Sequence, residues 1–320
     1  MKKAIILSAL LTLALPLGQA KAEDAPTHRI SGKDRYETAV NISAEGWDTS
    51  AVAVLATGKD FPDALSATPL AYKYGAPLLL TSANSLPDSV KNELKRLKVT
   101  TVYLIGGKSV ISQNIEIELN SLGISSITRL SGADRYETSV KVAKQLGNPE
   151  SVVIATGEGF PDALSIAPIA AQLEMPILLT KKNSVPSSVS QFVNSEQPVE
   201  SFVIGGTGVI SAQVANAFPM PERISGINRY ATNSNVIQYF EDAIDMDLPV
   251  IATGENYPDA LAGSAFAAAT WNPVILTHPT KPHQTTIDTV QAYSDYAELY
   301  YVLGGNKVVT DQAINTLLQK

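Results

Sequence analysis

The chain repeats one sequence unit three times, and this repetition limits what it can fold into. The segment Arg29–Thr38 recurs as Arg129–Thr138 and, with more changes, as Arg223–Thr232. Each copy is followed by the motifs A-T-G-x-x-(F/Y)-P-D-A-L and P-(L/I/V)-(L/I)-L-T and by a glycine pair. These pairs begin 99 residues apart, at Gly106, Gly205 and Gly304. A fixed order at nearly fixed spacing identifies tandem repeats, so we expect three domains, at residues 23–122, 123–219 and 220–320.

Apolar runs alternate with helical patterns inside each unit. In the first unit the runs cover residues 52–56, 78–80 and 102–105. Short, continuously apolar strands are typical of a parallel sheet that is covered on both faces. Strands that alternate with helices form βαβ units with right-handed crossovers. The sequence therefore predicts the α/β fold class, with a mainly parallel sheet in each of three tandem domains.

Two groups of hydroxyl residues are candidates for helix N-caps. The first group stands two residues before a proline: Ser85, Ser184 and Thr280. The second group follows the glycine pairs: Ser112, Ser211 and Thr310. Pro69 and Pro168 would kink an unbroken helix that starts at P-D-A-L. Either that motif is only a short turn or the helix starts later.

Residues 1–22 have the layout of a secretory signal peptide. Met1–Lys3 is basic, residues 4–15 are apolar, and Ala20-Lys21-Ala22 offers a small-x-small cleavage site. The apolar run is shorter than the roughly 20 residues that a membrane helix needs. We therefore expect a secreted protein with no membrane span in the mature chain. Residues 1–22 contain three lysines and no acid, so their removal changes the formal charge from −7 to −10. This charge argues against nucleic acid as a partner.

The sequence predicts no catalytic site, no cofactor and no metal site. The absence of Cys excludes disulfides and thiolate chemistry. The motifs G-x-G-x-x-G and G-x-x-x-x-G-K-[ST] for nucleotides are also absent. His28, His278 and His283 occupy no equivalent repeat positions and lack the H-x-x-x-H spacing of zinc hydrolases. We therefore expect a protein without enzymatic activity.

The aspartates of the P-D-A-L motif have two interpretations. Carboxylates in a pair could perform acid–base chemistry or contact a ligand. An aspartate beside a proline at a helix start more often caps the helix. The residues concerned are Asp63, Asp162 and Asp259.

Arginine is confined almost entirely to the repeated motif. Of the seven arginines, only Arg96 lies outside it. The planar fork of arginine binds carboxylate or phosphate in a bidentate way. Each motif also carries a tyrosine, so the motif could form a compact site for an anionic, hydroxyl-rich polymer. The candidate ligand-binding residues are Arg29, Arg35, Tyr36, Arg129, Arg135, Tyr136, Arg223, Arg229 and Tyr230.

Ion pairs that hold the domains together are the alternative role for these arginines. Asp34 or Glu37 could hold Arg35, and Asp63 could also reach an arginine. The third copy has Asn228 and Ala231 in place of the two local acids, yet it keeps both arginines. This favours ligand contact for at least some of the arginines.

The motif order R-x-S-G-x-x-R-Y-x-T, A-T-G-x-x-(F/Y)-P-D-A-L, P-(L/I/V)-(L/I)-L-T and (I/L)-G-G resembles the cell wall binding repeat 2 family. The resemblance covers nearly all of the predicted mature chain. It implies Rossmann-like domains around a pseudo-threefold axis and noncovalent attachment to an anionic secondary wall polymer. Such triplets flank autolytic amidases in bacilli and anchor clostridial surface-layer proteins.

The family's proposed polymer-binding stretch falls on residues 78–80, 177–179 and 274–276. By composition these residues are a buried strand, so the polar strand ends are the better candidates. The candidates at these ends are Thr81, Thr180 and Thr277.

The leading hypothesis is a secreted protein, associated with the Gram-positive cell wall, that binds an anionic polymer such as a teichoic acid. Peptidoglycan is the other candidate ligand. The alternatives are a modulator or enhancer of a wall autolysin that acts by protein contact, and a wall hydrolase. The third repeat is the most divergent of the three, so its site is expected to be weaker.

Overall fold

The computed structural model describes residues 26–319, so the predicted signal peptide lies outside the described residues. Within residues 26–319, none of the helices combines the length and the apolar character needed to cross a membrane. The strands in this range are β1 Thr27–Ile30, β2 Val52–Thr57, β3 Leu78–Thr81, β4 Thr101–Ile105, β5 Ser126–Leu130, β6 Ser151–Thr156, β7 Ile177–Thr180, β8 Glu200–Ile204, β9 Pro221–Ile224, β10 Val250–Thr253, β11 Val274–Thr277 and β12 Tyr300–Leu303.

Helices follow most of the strands. They are α1 Arg35–Gly46, α2 Ala67–Lys73, α3 Asp88–Arg96, α4 Gln113–Ser121, α5 Arg135–Leu146, α6 Pro161–Gln172, α7 Ser187–Glu196, α8 Ala212–Ala215, α9 Arg229–Tyr239, α10 Pro258–Ala269, α11 Gln284–Ala292 and α12 Asp311–Leu318. Short 3-10 turns cover Ala64–Ser66 and Glu241–Ala243.

The strands form three parallel four-stranded sheets, in the orders β3-β2-β4-β5, β7-β6-β8-β9 and β11-β10-β12-β1. This confirms the predicted α/β class with parallel sheets. Each sheet takes its last strand from the next copy of the arginine motif. The third sheet takes β1, the first described strand of the chain, in register from Thr27 opposite Tyr300 to Ile30 opposite Leu303. A sheet therefore spans each of the predicted boundaries at 122/123 and 219/220, because β4 pairs with β5 and β8 pairs with β9.

Three helices lie at the centre of the molecule. Helices α2, α6 and α10 pack against one another, and each also packs against the arginine-motif helix of another repeat: α5 on α2, α9 on α6 and α1 on α10. Helix α10 is buried from Pro258 to Ala268, as expected for a helix that is apolar on all sides. The cyclic pattern is the pseudo-threefold arrangement that the family resemblance implies.

Two expectations about helix starts were only partly right. Helices α3, α7 and α11 do not begin at the first group of hydroxyl residues, because the extended Pro87, Pro186 and His283 occupy the N-cap positions. The second group is placed correctly. Ser211 accepts a hydrogen bond from the Val214 amide and Thr310 accepts one from the Ala313 amide, whereas Ser112 occupies the N-cap position without such a bond.

The P-D-A-L segment differs between repeats. In the first repeat it forms a 3-10 turn that runs into α2, which contains Pro69 near its start. In the second repeat α6 begins at Pro161 and continues through Pro168. The short-turn expectation therefore holds for the first repeat only.

Candidate functional site

Three clefts open at the junctions between repeats. The first cleft lies between repeats 1 and 2 and has a volume of about 190 Å³. The second cleft lies between repeats 2 and 3 and has about 570 Å³. The third cleft lies between repeats 3 and 1 and has about 180 Å³. All three lie beyond the carboxyl ends of parallel strands, where the chain connections diverge to the two sides of the sheet. Ligands bind at this position in open α/β sheets.

The repeated motifs supply the same groups to each cleft. One repeat contributes the P-D-A-L aspartate and the glycine pair, and the next repeat contributes the second arginine of its motif. The aspartate–arginine combinations are Asp63 with Arg135, Asp162 with Arg229, and Asp259 with Arg35.

The second arginine of each motif donates a hydrogen bond to the A-T-G turn of its own repeat, and Arg35 Nη1 also donates to the Tyr257 hydroxyl at 3.2 Å. Arg135 Nη1 donates to the Gly157 carbonyl at 2.5 Å and Arg229 Nη1 donates to the Gly254 carbonyl at 2.5 Å. Arg35 makes the equivalent bond to Gly58. The guanidinium of Arg229 also lies 5.7 Å from the centroid of the Phe160 ring, which belongs to the preceding repeat. These contacts orient the side chain across the junction.

The first arginine of each motif lies in the sheet junction and lines none of the three clefts. Nη1 of Arg29, Arg129 and Arg223 donates to the carbonyl of the first glycine in the pair of the adjoining repeat, Gly304, Gly106 and Gly205. Arg129 also forms an ion pair with Glu116, with 2.7 Å between Nε and Oε1. Burial lowers the pKa of the Arg223 guanidinium below its ordinary value. These three arginines therefore join the sheets, which is the structural alternative considered from the sequence.

The aspartates do not cap helices. Phe160 and Tyr257 occupy the N-cap positions of α6 and α10, and Asp63 precedes its 3-10 turn without forming a side-chain cap bond. Each carboxylate instead lies against the first glycine of the pair. A Cβ atom at Gly205 would come within 2.5 Å of Asp162 Oδ2. That glycine must therefore lack a side chain for the carboxylate to fit.

Burial disfavours ionisation of these aspartates. It raises the pKa of Asp162 and of Asp259 to about 6, and the nearby Arg229 and Arg35 offset only part of this effect. Burial also raises the pKa of Asp63, while Thr138 and Arg135 act in the opposite direction. Asp259 is only 8% exposed. Perturbed carboxyl groups at a cleft are features of ligand-binding sites.

The motif tyrosines pack beneath the clefts. Their rings lie against the glycine of A-T-G, so that a Cβ at Gly58, Gly157 or Gly254 would come within 2.7 Å of a ring carbon of Tyr36, Tyr136 or Tyr230. Tyr230 also donates a 2.5 Å hydrogen bond to Glu255 and stacks on His283. The tyrosines thus support the turn that holds the second arginine.

The candidate threonines at the ends of β3, β7 and β11 have fully buried side chains. Thr81, Thr180 and Thr277 each have an exposed fraction of 0%. Their carbonyls accept hydrogen bonds from the amides of Gly58, Gly157 and Gly254. The apolar residues before them, at 78–80, 177–179 and 274–276, are also buried, as expected from their composition. Neither set has surface for a ligand in this structure.

The role of Asp34 was missed at the sequence level. Asp34 accepts hydrogen bonds from the amides of Tyr36 and Glu37 and caps α1, and it forms no ion pair with Arg35. Asp134 and Asn228 cap α5 and α9 in the same way. An amide oxygen can accept these bonds as a carboxylate does, which explains why Asn228 is tolerated. The signal was present as a capping box, D-x-x-E, in the first two repeats.

Within residues 26–319, no group of three or more His, Asp or Glu residues is arranged to hold a metal ion. His278 Nδ1 instead accepts hydrogen bonds from the amides of Thr280 and Lys281 and shapes a loop. His28 Nε2 lies 3.5 Å from Glu45 Oε2 of helix α1. The structure therefore brings no histidine into a cleft beside a motif aspartate.

Known proteins share this architecture. The structure of Cwp6 from Clostridium difficile superimposes with a TM-score of 0.86 at 30% identity, covering 100% of this chain and 52% of that chain. Cwp8 from the same organism gives a TM-score of 0.81 at 28% identity, covering 92% of this chain and 51% of that chain.

Two relatives from Bacillus subtilis (strain 168) match most of the sequence. The N-acetylmuramoyl-L-alanine amidase LytC is 38% identical over 255 residues, which are 80% of this chain and 51% of the amidase. The amidase enhancer is 34% identical over 247 residues, which are 76% of this chain and 34% of the enhancer. The chain thus spans about half of the one relative and a third of the other.

The family model described as Cell wall binding domain 2 (CWB2) matches residues 29–116, 129–215 and 223–314. Each match begins at the first arginine of one repeated motif, the residue that joins adjacent sheets, and extends past the glycine pair that lines a cleft. The match confirms the resemblance seen in the sequence motifs. The chain belongs to the cell wall binding domain 2 family.

Proposed function

We propose that this protein is secreted and binds noncovalently to an anionic polymer of the Gram-positive cell wall through its three inter-repeat clefts. The observation that carries the proposal is the recurrence of one aspartate–arginine pair, with the same glycine turn, at all three junctions. Membership of a cell wall binding family and the likeness to Cwp6 and Cwp8 support the wall as the target.

The clefts suit a ligand that carries both negative charge and hydroxyl groups. The guanidinium of each second arginine keeps donors beyond the Nη1 hydrogen bonds that orient it. The aspartate carboxyl, with its raised pKa, is a hydrogen-bonding group for hydroxyls at the same site. Three such sites on one rigid body gain avidity on a repeating polymer. This offsets the long-range repulsion of a net acidic protein, which salt screens beyond about 8 Å.

Sedimentation with purified walls tests this proposal. Residues 23–320 would be mixed with intact Gram-positive walls and with walls stripped of phosphate-linked polymers by mild hydrofluoric acid. We expect binding to intact walls and little binding to stripped walls. Equal binding to both would indicate that the ligand is peptidoglycan. No binding to either would overturn the proposal.

We propose that the protein acts by binding and does not cleave the wall. The part that LytC shares with this chain is about half of that amidase, and the clefts combine aspartate with arginine but with no histidine base. A zymogram on purified walls checks this directly. No cleared band is expected, and a cleared band from the pure protein would show hydrolase activity.

A role beside a wall autolysin is the second candidate. It is favoured by the similarity to both an amidase and an amidase enhancer. Proteins with the same wall-binding repeats would bind to the same polymer and would therefore lie close to one another. Addition of the protein to an amidase assay on intact walls should then change the rate of lysis. An unchanged rate at saturating protein would exclude this role.

A further inference from the structure

The second cleft is about three times larger than the other two, at 570 Å³ against 190 and 180 Å³. Two glycines line the second cleft at positions where the other repeats have side chains. Gly159 stands where the first repeat has Asp60 and the third has Asn256, and Gly208 stands where the first repeat has Ser109 and the third has Lys307. Asp60 and Ser109 line the first cleft, and Asn256 lines the third. The second cleft therefore lacks two side chains that line the first cleft and one that lines the third.

Neither glycine is required by the backbone or by packing. Both lie outside the positive-φ region that favours glycine. A Cβ at Gly208 would meet open space, and a Cβ at Gly159 would make only ordinary contacts at 3.8 Å and beyond. By contrast, the neighbouring Gly205 has φ +111° and no room for a side chain. The backbone conformation and the packing explain why position 205 is a glycine. They do not explain Gly159 or Gly208, whose only evident effect is to leave space in the second cleft.

The lining of the second cleft is mixed. Val209 and Ile227 form an apolar rim, and Ile227 is 98% exposed. Glu158, Asp162 and Arg229 provide acceptors and donors on the remaining walls. A surface with an apolar face and hydrogen-bonding groups around it matches a pyranose ring, which has C–H faces and a rim of hydroxyls.

The third repeat also frees a backbone donor beside this cleft. In the first two repeats Glu37 accepts a hydrogen bond from the Lys33 amide and Glu137 accepts one from the Ala133 amide. The equivalent residue in the third repeat is Ala231, which has no carboxylate to accept the bond from Ile227. The third repeat therefore lacks the carboxylate that accepts from the equivalent backbone amide in the first two repeats.

We infer that the second cleft is the principal ligand site and that it holds a hexose-sized, hydroxyl-bearing sugar unit of the wall polymer. This inference rests on the proposed wall-binding function. Ligand pockets usually enclose about 300–1,000 Å³. The second cleft lies within that range, whereas the first and third clefts are below it and hold only a smaller group.

The double variant Gly159→Asn/Gly208→Ser tests the inference, because it puts the residues of the other repeats into the second cleft without adding charge. We expect at least about tenfold weaker binding to intact walls and an unchanged Tm. The matched control, Ala217→Asn/Ala44→Ser, adds the same two side chains at exposed positions that line none of the three clefts, and should leave binding unchanged. Wild-type affinity in the first variant would overturn the inference while leaving wall binding intact. Failure of the wild-type protein to bind walls would overturn the proposed function itself.

Competition identifies the ligand class. The competitors are the dephosphorylated units that hydrofluoric acid releases from the same walls, and inorganic phosphate. Displacement of the wild-type protein by the released units, but not by phosphate at equal concentration, is the expected result. Displacement by phosphate alone, or by neither, would contradict a sugar in the second cleft.

Discussion

Arg29 and Gly304 are 275 residues apart in the chain, yet Arg29 Nη1 donates a 2.7 Å hydrogen bond to the Gly304 carbonyl. The bond accompanies the pairing of β1 with β12, which completes the third sheet with the first described strand. The same bond joins Arg129 to Gly106 and Arg223 to Gly205. Three tandem repeats therefore form a closed ring, and the clefts exist only because adjacent repeats are joined in this way.

The junction arginines should differ in their contribution to stability. Arg129→Ala leaves Glu116 and the carbonyls of Gly106 and Ile111 without their donor at a side chain only 12% exposed. We expect a loss of about 2–4 kcal/mol in the free energy of unfolding. Arg29→Ala removes the bond to Gly304 and an ion pair with Asp311, whose side chain is 67% exposed. The loss in the free energy of unfolding should therefore be smaller, about 1–2 kcal/mol. Urea unfolding of both variants measures the difference. A greater loss for Arg29→Ala would contradict the assignment.

The cleft arginines should affect binding more than folding. Arg229→Ala removes the guanidinium from the second cleft, together with one hydrogen bond to Gly254, a 3.8 Å ion pair with Glu255 and the contact with the Phe160 ring. We expect about tenfold or greater loss of wall affinity. The protein should remain folded, as judged by circular dichroism. Arg229→Lys keeps the charge without the planar fork and should recover only part of the affinity. Full affinity in Arg229→Ala would place the ligand elsewhere.

The aspartates should make stability depend on pH. The pKa of Asp259 is about 6 in the folded protein against 3.8 when exposed, so the folded state binds the extra proton and stability falls as the pH rises from about 4 to about 6. Asp259→Asn cannot ionise and should be more stable than wild type by about 1–3 kcal/mol at pH 7.5. The gain should nearly vanish at pH 4. Urea titrations at the two pH values measure it, and an equal gain at both would contradict burial as the cause.

The affinity for the wall should depend on the protonation of the cleft aspartates. Wild-type protein loses negative charge from the second and third clefts below about pH 6, because Asp162 and Asp259 take up protons there. We expect tighter binding to an anionic wall polymer at pH 5 than at pH 7.5. The double variant Asp162→Asn/Asp259→Asn should lose most of this difference. If the variant keeps the full pH dependence, titration of the wall or of other groups is responsible.

The buried threonines provide a negative control. Thr180→Val retains the shape of a side chain whose hydroxyl makes only long hydrogen bonds, at 3.4 Å, to the carbonyls of Lys181 and Ser184. We expect unchanged wall affinity and a stability change of about 1 kcal/mol or less. Sedimentation with intact walls measures the affinity. A marked loss of binding in a variant that is still folded would show that the strand ends contact the ligand.

The repeat unit, the α/β class and the buried strands could be predicted from the sequence because periodic motifs and apolar runs are local signals. The roles of Arg29 and Arg35 could not be separated in this way. Both stand in one ten-residue motif, but Arg29 lies in a strand that faces the adjoining repeat, whereas Arg35 starts a helix at a cleft. Which of the two arginines lines a cleft depends on how adjacent repeats pack in the closed ring.

The weaker site expected for the third repeat stays a prediction, because each cleft is lined by two repeats. Asn228 and Ala231 look like losses when the repeat is compared with its copies. In the structure Asn228 lines the second cleft, together with Gly159 and Gly208 from the preceding repeat. Because each cleft is lined by two repeats, the side chains that meet in it are distant in the sequence, and no single repeat contains the whole site.

The most direct test is an NMR titration of the mature protein, labelled on its backbone amides, with polymer released from Gram-positive walls. We expect the largest changes in amide chemical shift at Gly159, Gly208, Ile227 and Arg229, around the second cleft, and smaller changes at the other two clefts. Shifts confined to surfaces remote from the three junctions would contradict the claim that the wall ligand binds between the repeats.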